Sequence, residues 1–223
     1  MEESTPNITN FLRPQRKPFS IVSEELFDNV IVLYNVFSPF ECNQLINKAN
    51  EIGFQELPAS YPRDYRNNTR IICYCESFTN EWKNRVFPFV EDILTVDESA
   101  TTLETYPNIY GFWKIFTLNP LLRICKYDES QFFKKHYDSG YHPIPYKQHS
   151  FKTCMLYLNE DFEGGETVFY NDDSSDEIAR FKPLTGSCLI FNQQIFHEGL
   201  PVESNNKYFV RTDIVYKKMK MKL

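Results

Sequence analysis

The sequence predicts a mainly β fold with flanking helices (α+β), in which two N-terminal helices pack on one sheet of a double-sheeted core. Aromatic residues make up 16% of the chain, with twenty Phe and fourteen Tyr, a composition suited to broad, half-buried sheet surfaces. Two segments with helical apolar spacing precede residue 95, and from about residue 105 short strand-like runs alternate with turn residues. Seven Gly and the absence of a tandem repeat argue against a propeller or a solenoid.

Each element has a local reason. Residues 1–20 are polar and proline-bearing and read as a flexible leader. Residues 21–223 read as one domain, because no linker divides them and the length suits a single core. Residues 29–37 form a β-rich apolar run. Ser38, Pro39 and Glu41 then supply an N-cap, a first helical position and a capping box. Cys42, Leu45, Ile46, Ala49 and Ile52 make the apolar stripe of that helix, and Gly53 stops it. A second helix within 79–94 would use Trp82, Val86, Val90 and Ile93, with Pro88 kinking or shortening it. Between the helices, 58–70 is a polar loop whose Arg63, Arg66 and Arg70 suit either plain solubility or a substrate-contacting lid. The clearest later strands are 151–158, 166–170, 187–191 and 207–216.

Charge and cysteine usage exclude several classes. The net charge of -6 and pI near 5.3 give no electrostatic footprint for nucleic acid. Lys217, Lys218, Lys220 and Lys222 read as a solvated basic tail. Cys42, Cys73, Cys75, Cys125, Cys154 and Cys188 read as reduced, buried thiols, and Cys73-Tyr74-Cys75 lacks zinc-ligand spacing. Asp172, Asp173, Asp176 and Glu177 form a solvated acidic turn without the spacing of a calcium loop. No signal-peptide core and no apolar run of membrane-spanning length is present, so a cytoplasmic chain without a membrane partner is expected.

His136-Tyr137-Asp138 is the candidate site. In a strand, residues two apart share a face, so an imidazole and a carboxylate would project together. By itself this spacing also fits a surface strand pair. A second imidazole from elsewhere would complete a two-histidine, one-carboxylate set with open metal positions. His197, just after the apolar run 187–191, is the best third ligand. In the last strand, Tyr208, Val210, Thr212, Ile214 and Tyr216 make an apolar face. Lys207, Phe209, Arg211, Asp213 and Val215 make the other. Three charges there suit either a solvated face or a polar cavity. His142 and His149 fall in the loop 139–150 and read as solvent-exposed.

Several stretches carry a resemblance. They are Tyr127 through His136-Tyr137-Asp138, TCMLYLN at 153–159 leading into GGETVF at 164–169, PLTGSCLIF at 183–191, and His197-Glu198-Gly199 through Tyr216. With 37–54 added, the chain resembles the 2-oxoglutarate/Fe(II)-dependent dioxygenases of the prolyl 4-hydroxylase-like family over most of 30–216.

The resemblance implies a double-stranded β-helix (jelly-roll, cupin-like) core. It implies Fe(II) and O2 with 2-oxoglutarate as cosubstrate, and L-ascorbate as an optional reductant. His136, Asp138 and His197 would be the catalytic iron ligands. Lys207 would pair with the 2-oxoglutarate C5 carboxylate, Tyr157 would hydrogen-bond it, and Tyr127 would line its pocket. A charge count agrees, since iron, Asp138 and 2-oxoglutarate together leave a negative centre that a buried cation offsets. Arg211 shares the face of Lys207 but stands roughly 13 Å farther along an ideal strand, so Lys207 is preferred and Arg211 pairs with Asp213 or meets substrate. Asp138 favours hydroxylation, because halogenases of this class carry a small residue there. The loop 139–150 would border the active-site mouth. The implied partner is a peptide or protein substrate hydroxylated at a residue such as proline. The alternatives are the same chemistry on a small molecule or nucleobase, and a non-catalytic jelly-roll binding protein.

Overall fold

A computed structural model describes residues 20–97, 109–143, 147–171 and 176–220. The predicted leader through residue 19, Asp172, Asp173 and Lys222 lie outside them. Helix α1 (Pro39–Ile52) begins as its capping box dictates. Glu41 N–H donates to Ser38 Oγ at 3.2 Å, and Ser38 N–H donates to the Glu41 carboxylate at 2.8 Å. Cys42, Leu45 and Ala49 are buried, whereas Ile52, predicted for the same stripe, is exposed at the helix end. Helix α2 (Glu76–Val86) is shorter than predicted: a 3-10 turn at Phe87–Phe89 ends it, since Pro88 has no N–H to continue the ladder. The buried Glu41 carboxylate also receives Arg85 of α2 at 2.8 Å, so the cap of one helix fastens the other.

Strands begin earlier than the sequence predicts. β1 (Val22–Phe27) and β2 (Val30–Tyr34) form a hairpin turned at Asp28 and Asn29, both at positive φ. β3 (Gln55–Glu56) and β4 (Thr69–Tyr74) lie between the helices, and β5 (Ile93–Val96) takes Ile93 out of the predicted helix. β6 (Gly111–Leu118), β7 (Leu121–Tyr127), β8 (Phe133–His136) and β9 (Gln148–Tyr157) come next. They are followed by β10 (Glu163–Gly164), β11 (Thr167–Tyr170), β12 (Glu177–Phe181) and β13 (Cys188–Asn192). β14 (His197–Gly199), β15 (Val202–Ser204) and β16 (Lys207–Lys218) complete the order.

The larger sheet runs β1-β2-β13-β9-β16-β7-β4-β3, with β6 also on β16 and β5 on β6. The smaller runs β12-β11-β14-β8, and β10 pairs β15. The central strands of the larger sheet are buried on both faces, which is why they read as nearly continuous apolar runs. Leu156, Ile190, Val210 and Ile214 meet Leu45, Trp82 and Val86 of the helices. On the other face Met155, Tyr157, Leu189, Phe191 and Phe209 meet Phe169 and Phe181 of the smaller sheet. This is the double-stranded β-helix, with helices backing one sheet and a second core between the two sheets. All six cysteines are buried and free, as expected. Among the described residues no helix is long and apolar enough to cross a membrane.

Gly186 joins α1 to this frame. Its carbonyl accepts from Val36 and Phe37 N–H at 3.0 and 3.2 Å, its φ is +76°, and a Cβ there would lie 1.9 Å from the Phe37 carbonyl oxygen. Gly186→Ala is expected to destabilise the fold by about 3 kcal/mol or more. Chemical denaturation would register this as a lower midpoint, and an unchanged midpoint would contradict the packing.

Candidate active site

The site is a cross-strand pair completed by a carboxylate. β14 runs antiparallel to β8 and places His197 opposite His136, with ring centroids 4.2 Å apart. β8 ends at His136, so Asp138 does not share its strand, as the spacing suggested. It lies just beyond, where its N–H donates to the Gln193 carbonyl at 3.0 Å. The carboxylate still reaches both rings, at 3.6 Å from His136 Nε2 and 3.7 Å from His197 Nε2. The candidate ligand atoms of all three residues lie within 4.8 Å of one another.

Backbone carbonyls orient both rings. His136 Nδ1 lies 2.7 Å from Lys134 O and His197 Nδ1 lies 2.8 Å from Ile195 O. A carbonyl only accepts, so each Nδ1 is the donor to it and each Nε2 is turned toward Asp138. Phe133 stacks on His136 at 3.5 Å and Phe191 meets the His197 ring at 4.7 Å. Two imidazoles and one carboxylate, open on the cavity side, fit a first-row divalent metal ion.

Asp138 is 6% exposed and is compensated on both oxygens. Thr153 Oγ1 donates to Oδ2 at 2.6 Å, and Arg211 Nη2 meets Oδ1 at 3.1 Å. Burial pushes the carboxyl pKa up, but Arg211 and the two histidines outweigh it and hold the group well below the usual carboxylate range. Burial lowers His197 to about 4. Arg211 is steadied in turn by fully buried Asp213, which Gln193, Asn119 and Arg123 also contact at 3.1, 3.1 and 3.3 Å.

His136, Asp138, His197 and Arg211 line one pocket, with about 450 Å³ of empty space when its open mouth is included. Lys207 lines it, 3% exposed, with Nζ 2.5 Å from the Gly165 carbonyl and the rings of Tyr127, Tyr157 and Phe209 within 5.8 Å. Burial lowers its pKa to about 8. No carboxylate forms an ion pair with it among the described residues, so a carboxylate entering the pocket would find a buried, underpaired ammonium. Tyr127 lines the wall and stacks on Phe209. Tyr157 is fully buried behind that wall, its hydroxyl 2.8 Å from Thr167 Oγ1, and Thr167 is the residue that faces the pocket.

The charged face of β16 is therefore a cavity face, and Arg211 pairs with Asp213 as expected while also meeting Asp138. Other expectations change. Arg66 is not a solvated loop residue: it is buried in the pocket wall, 4.3 Å over the Phe133 ring. Its turn of polar sequence gave no apolar period, and its burial comes from a bridge to Phe133 on a distant strand. Arg63 remains exposed, paired with Glu56. His142 and His149 are not solvent-exposed. His149 opens the buried stretch of β9 against Trp113 and Phe151, and the two Nδ1 atoms lie 2.7 Å apart. Among the described residues, none of 139–150 lines the pocket. Phe133, Thr153 and Thr167 lie in the matching stretches without a role assigned to them there, and Gln193 lies outside those stretches.

Comparison with known proteins agrees with this geometry. The family model described as the 2OG-Fe(II) oxygenase superfamily matches residues 122–213, which hold all three candidate ligands and Lys207. A protein of Acanthamoeba polyphaga mimivirus named "Putative prolyl 4-hydroxylase" is 22% identical over 204 residues, covering 83% of this chain and 73% of that protein. The viral collagen prolyl hydroxylase of Paramecium bursaria Chlorella virus-1, solved as a 2OG complex, superposes with a TM-score of 0.53 at 20% identity. That match covers 85% of this chain and 97% of the other. A Trichoplax adhaerens prolyl hydroxylase, in complex with a hypoxia inducible factor peptide fragment, gives 0.55 at 15% identity over 84% and 82%. At these identities the solved structures establish the fold.

Buried His149 generates a pH prediction. Burial and then His142 lower His149 to about 3, against 6.5 for the unfolded group. Between those values the unfolded chain binds the extra proton, so stability is full above about pH 6.5 and falls as pH drops toward 3, by at most about 1.4 kcal/mol per unit. The thermal midpoint of His149→Gln is expected to change less between pH 6.5 and 5 than that of the unsubstituted protein. Equal slopes would contradict the burial.

Proposed function

We propose, from the premise that this chain belongs to the 2OG-Fe(II) oxygenase superfamily and is an oxidoreductase using Fe(II), 2-oxoglutarate and O2, that it hydroxylates a peptidyl residue, with proline the first candidate. Residues 21–223 would form the catalytic domain. His136 and His197 would ligate iron through Nε2 and Asp138 through a carboxylate oxygen. The convergence of these groups beside a buried ammonium in one pocket is the observation that carries the proposal.

When bound, iron and cosubstrate supply the oxidation, coupling O2 reduction and 2-oxoglutarate decarboxylation to C–H hydroxylation. The chain orients and encloses. Lys207 takes the C5 carboxylate, Tyr127 lines its channel, and Tyr157 acts through Thr167. Arg211 and Thr153 fix the carboxylate plane of Asp138. Phe133, Met155 and Phe209 make apolar walls that exclude water from the reacting carbon. A peptide is favoured because relatives are named prolyl hydroxylases and one such fold is solved with a peptide fragment.

Succinate formation with Fe(II) and 2-oxoglutarate tests the chemistry, and a proline-containing peptide panel read by the mass of one added oxygen atom tests the substrate. His136→Ala is expected to lose iron binding and turnover together, and full activity would refute the ligand assignment. Lys207→Ala is expected to weaken 2-oxoglutarate at least about tenfold, since an ion pair to a buried ammonium is lost. The sign of the pH effect follows from the same group. Above about pH 8 the free amine offers no ion pair, so 2-oxoglutarate affinity falls as pH rises, and Lys207→Arg should remove that fall.

A further inference from the structure

Two guanidiniums in the pocket wall have no task in cosubstrate binding. Arg66 is 6% exposed and takes only neutral partners: Asn68 Oδ1 at 2.6 Å from Nε, the Cys125 thiol at 3.6 Å, and the phenols of Tyr61 and Tyr127. Among the described residues no carboxylate forms an ion pair with it. Arg211 uses one nitrogen, Nη2, for Asp138, Asp213 and Thr153, while its buried Nε has no hydrogen-bond partner. Arg66, Arg211 and Tyr127 all line this cavity. Glu198 also lines the pocket, and the Tyr170 hydroxyl donates to it.

A guanidinium buried without a counter-charge is costly, and a buried N–H left without a hydrogen-bond partner adds to that cost. Loop solubility does not account for Arg66, since the side chain is sealed between Phe133 and Cys125. A role in folding alone would be met as well by an apolar residue of similar volume. A planar, bidentate-capable donor suits a carboxylate.

We propose that Arg66 and Arg211, which line the pocket together with Tyr127, form an anion subsite that receives a carboxylate of the substrate. The inference rests on the hydroxylase proposal for the identity of the cavity and adds the chemistry of what enters it. The carboxylate comes either from an acidic side chain next to the hydroxylated residue or from a free chain end. Its recognition would explain why the pocket keeps two arginines beyond the lysine assigned to 2-oxoglutarate.

The test is binding, with protein loaded with Mn(II) and 2-oxoglutarate so that no turnover occurs. The probes are acetyl-Pro-Asp-amide against acetyl-Pro-Asn-amide, and acetyl-proline against acetyl-proline amide. Mn(II)-induced broadening of probe proton resonances, titrated at low salt, gives affinity and places the probe near the metal. At least one charged probe is expected to bind about tenfold or more tighter than its neutral counterpart. Preference in the first pair assigns an acidic side chain, and preference in the second assigns a free carboxylate. Arg66→Gln should shrink the preferred gap to about threefold or less. Arg66→Lys, which keeps the charge and tests the subsite should the glutamine variant not fold, should retain a gap at lower affinity.

Equal binding of charged and neutral probes in both pairs, failure of both charged probes to bind, or a gap unchanged in both variants would overturn the subsite. So would a loss of 2-oxoglutarate affinity in Arg66→Gln equal to its loss of probe affinity, which would assign Arg66 to the cosubstrate. A missing succinate signal with the charged-probe gap intact would instead count against the hydroxylase reading and leave the subsite standing.

Discussion

A carboxylate buried where two sheets meet must keep its charge, and the compensation of Asp138 organises the rest of the site. Its backbone is tied to Gln193 and its oxygens to Thr153 and Arg211. Thr153 belongs to β9 and Arg211 to β16, the neighbouring central strands of the larger sheet. His136 and His197 belong to β8 and β14 of the smaller sheet. Asp138 therefore ties one wall of the β-helix to the other at the point where a metal would sit. Removing its partners would leave an uncompensated charge in a low-dielectric interior, a cost of several kcal/mol by order of magnitude.

β16 shows how one strand serves packing and chemistry together. Val210 and Ile214 face the helices and need only be apolar and of suitable size. Lys207, Phe209, Arg211 and Asp213 face the other way, and their order along the strand sets the order of tasks along the cavity. Lys207 lies at the aromatic end, where Tyr127, Tyr157 and Phe209 surround its ammonium. Arg211 lies at the carboxylate end, and Asp213 beyond it is held by Asn119, Arg123 and Gln193. Rigidity in this network matters because preorganised charges do not have to reorient when ligand arrives.

The most legible features were those encoded over a few residues. Ser38, Pro39 and Glu41 announced α1, and alternation in β16 separated its two faces. The spacing of His136 and Asp138 brought the right side chains together although the strand ends between them. Features that depend on distant partners were not legible. Arg66 looked like a loop residue because its burial is created by Phe133 and Cys125. His149 looked like a loop residue because Trp113 and Phe151, which cover it, come from β6 and the body of β9. Tyr157 was assigned to the cosubstrate by its place in a motif, and side-chain packing instead sets Thr167 between it and the pocket. β1 escaped notice because its exposed edge position lets it carry charge.

The central claim is that His136, Asp138 and His197 hold one iron ion facing a 2-oxoglutarate anchored by Lys207. Anomalous diffraction at the iron edge, from crystals grown anaerobically with Fe(II) and 2-oxoglutarate, tests it most directly. The account predicts one strong peak bonded to both Nε2 atoms and an Asp138 oxygen, with the far carboxylate of 2-oxoglutarate on the Lys207 ammonium. A peak elsewhere, or none at that position despite bound 2-oxoglutarate, would contradict it.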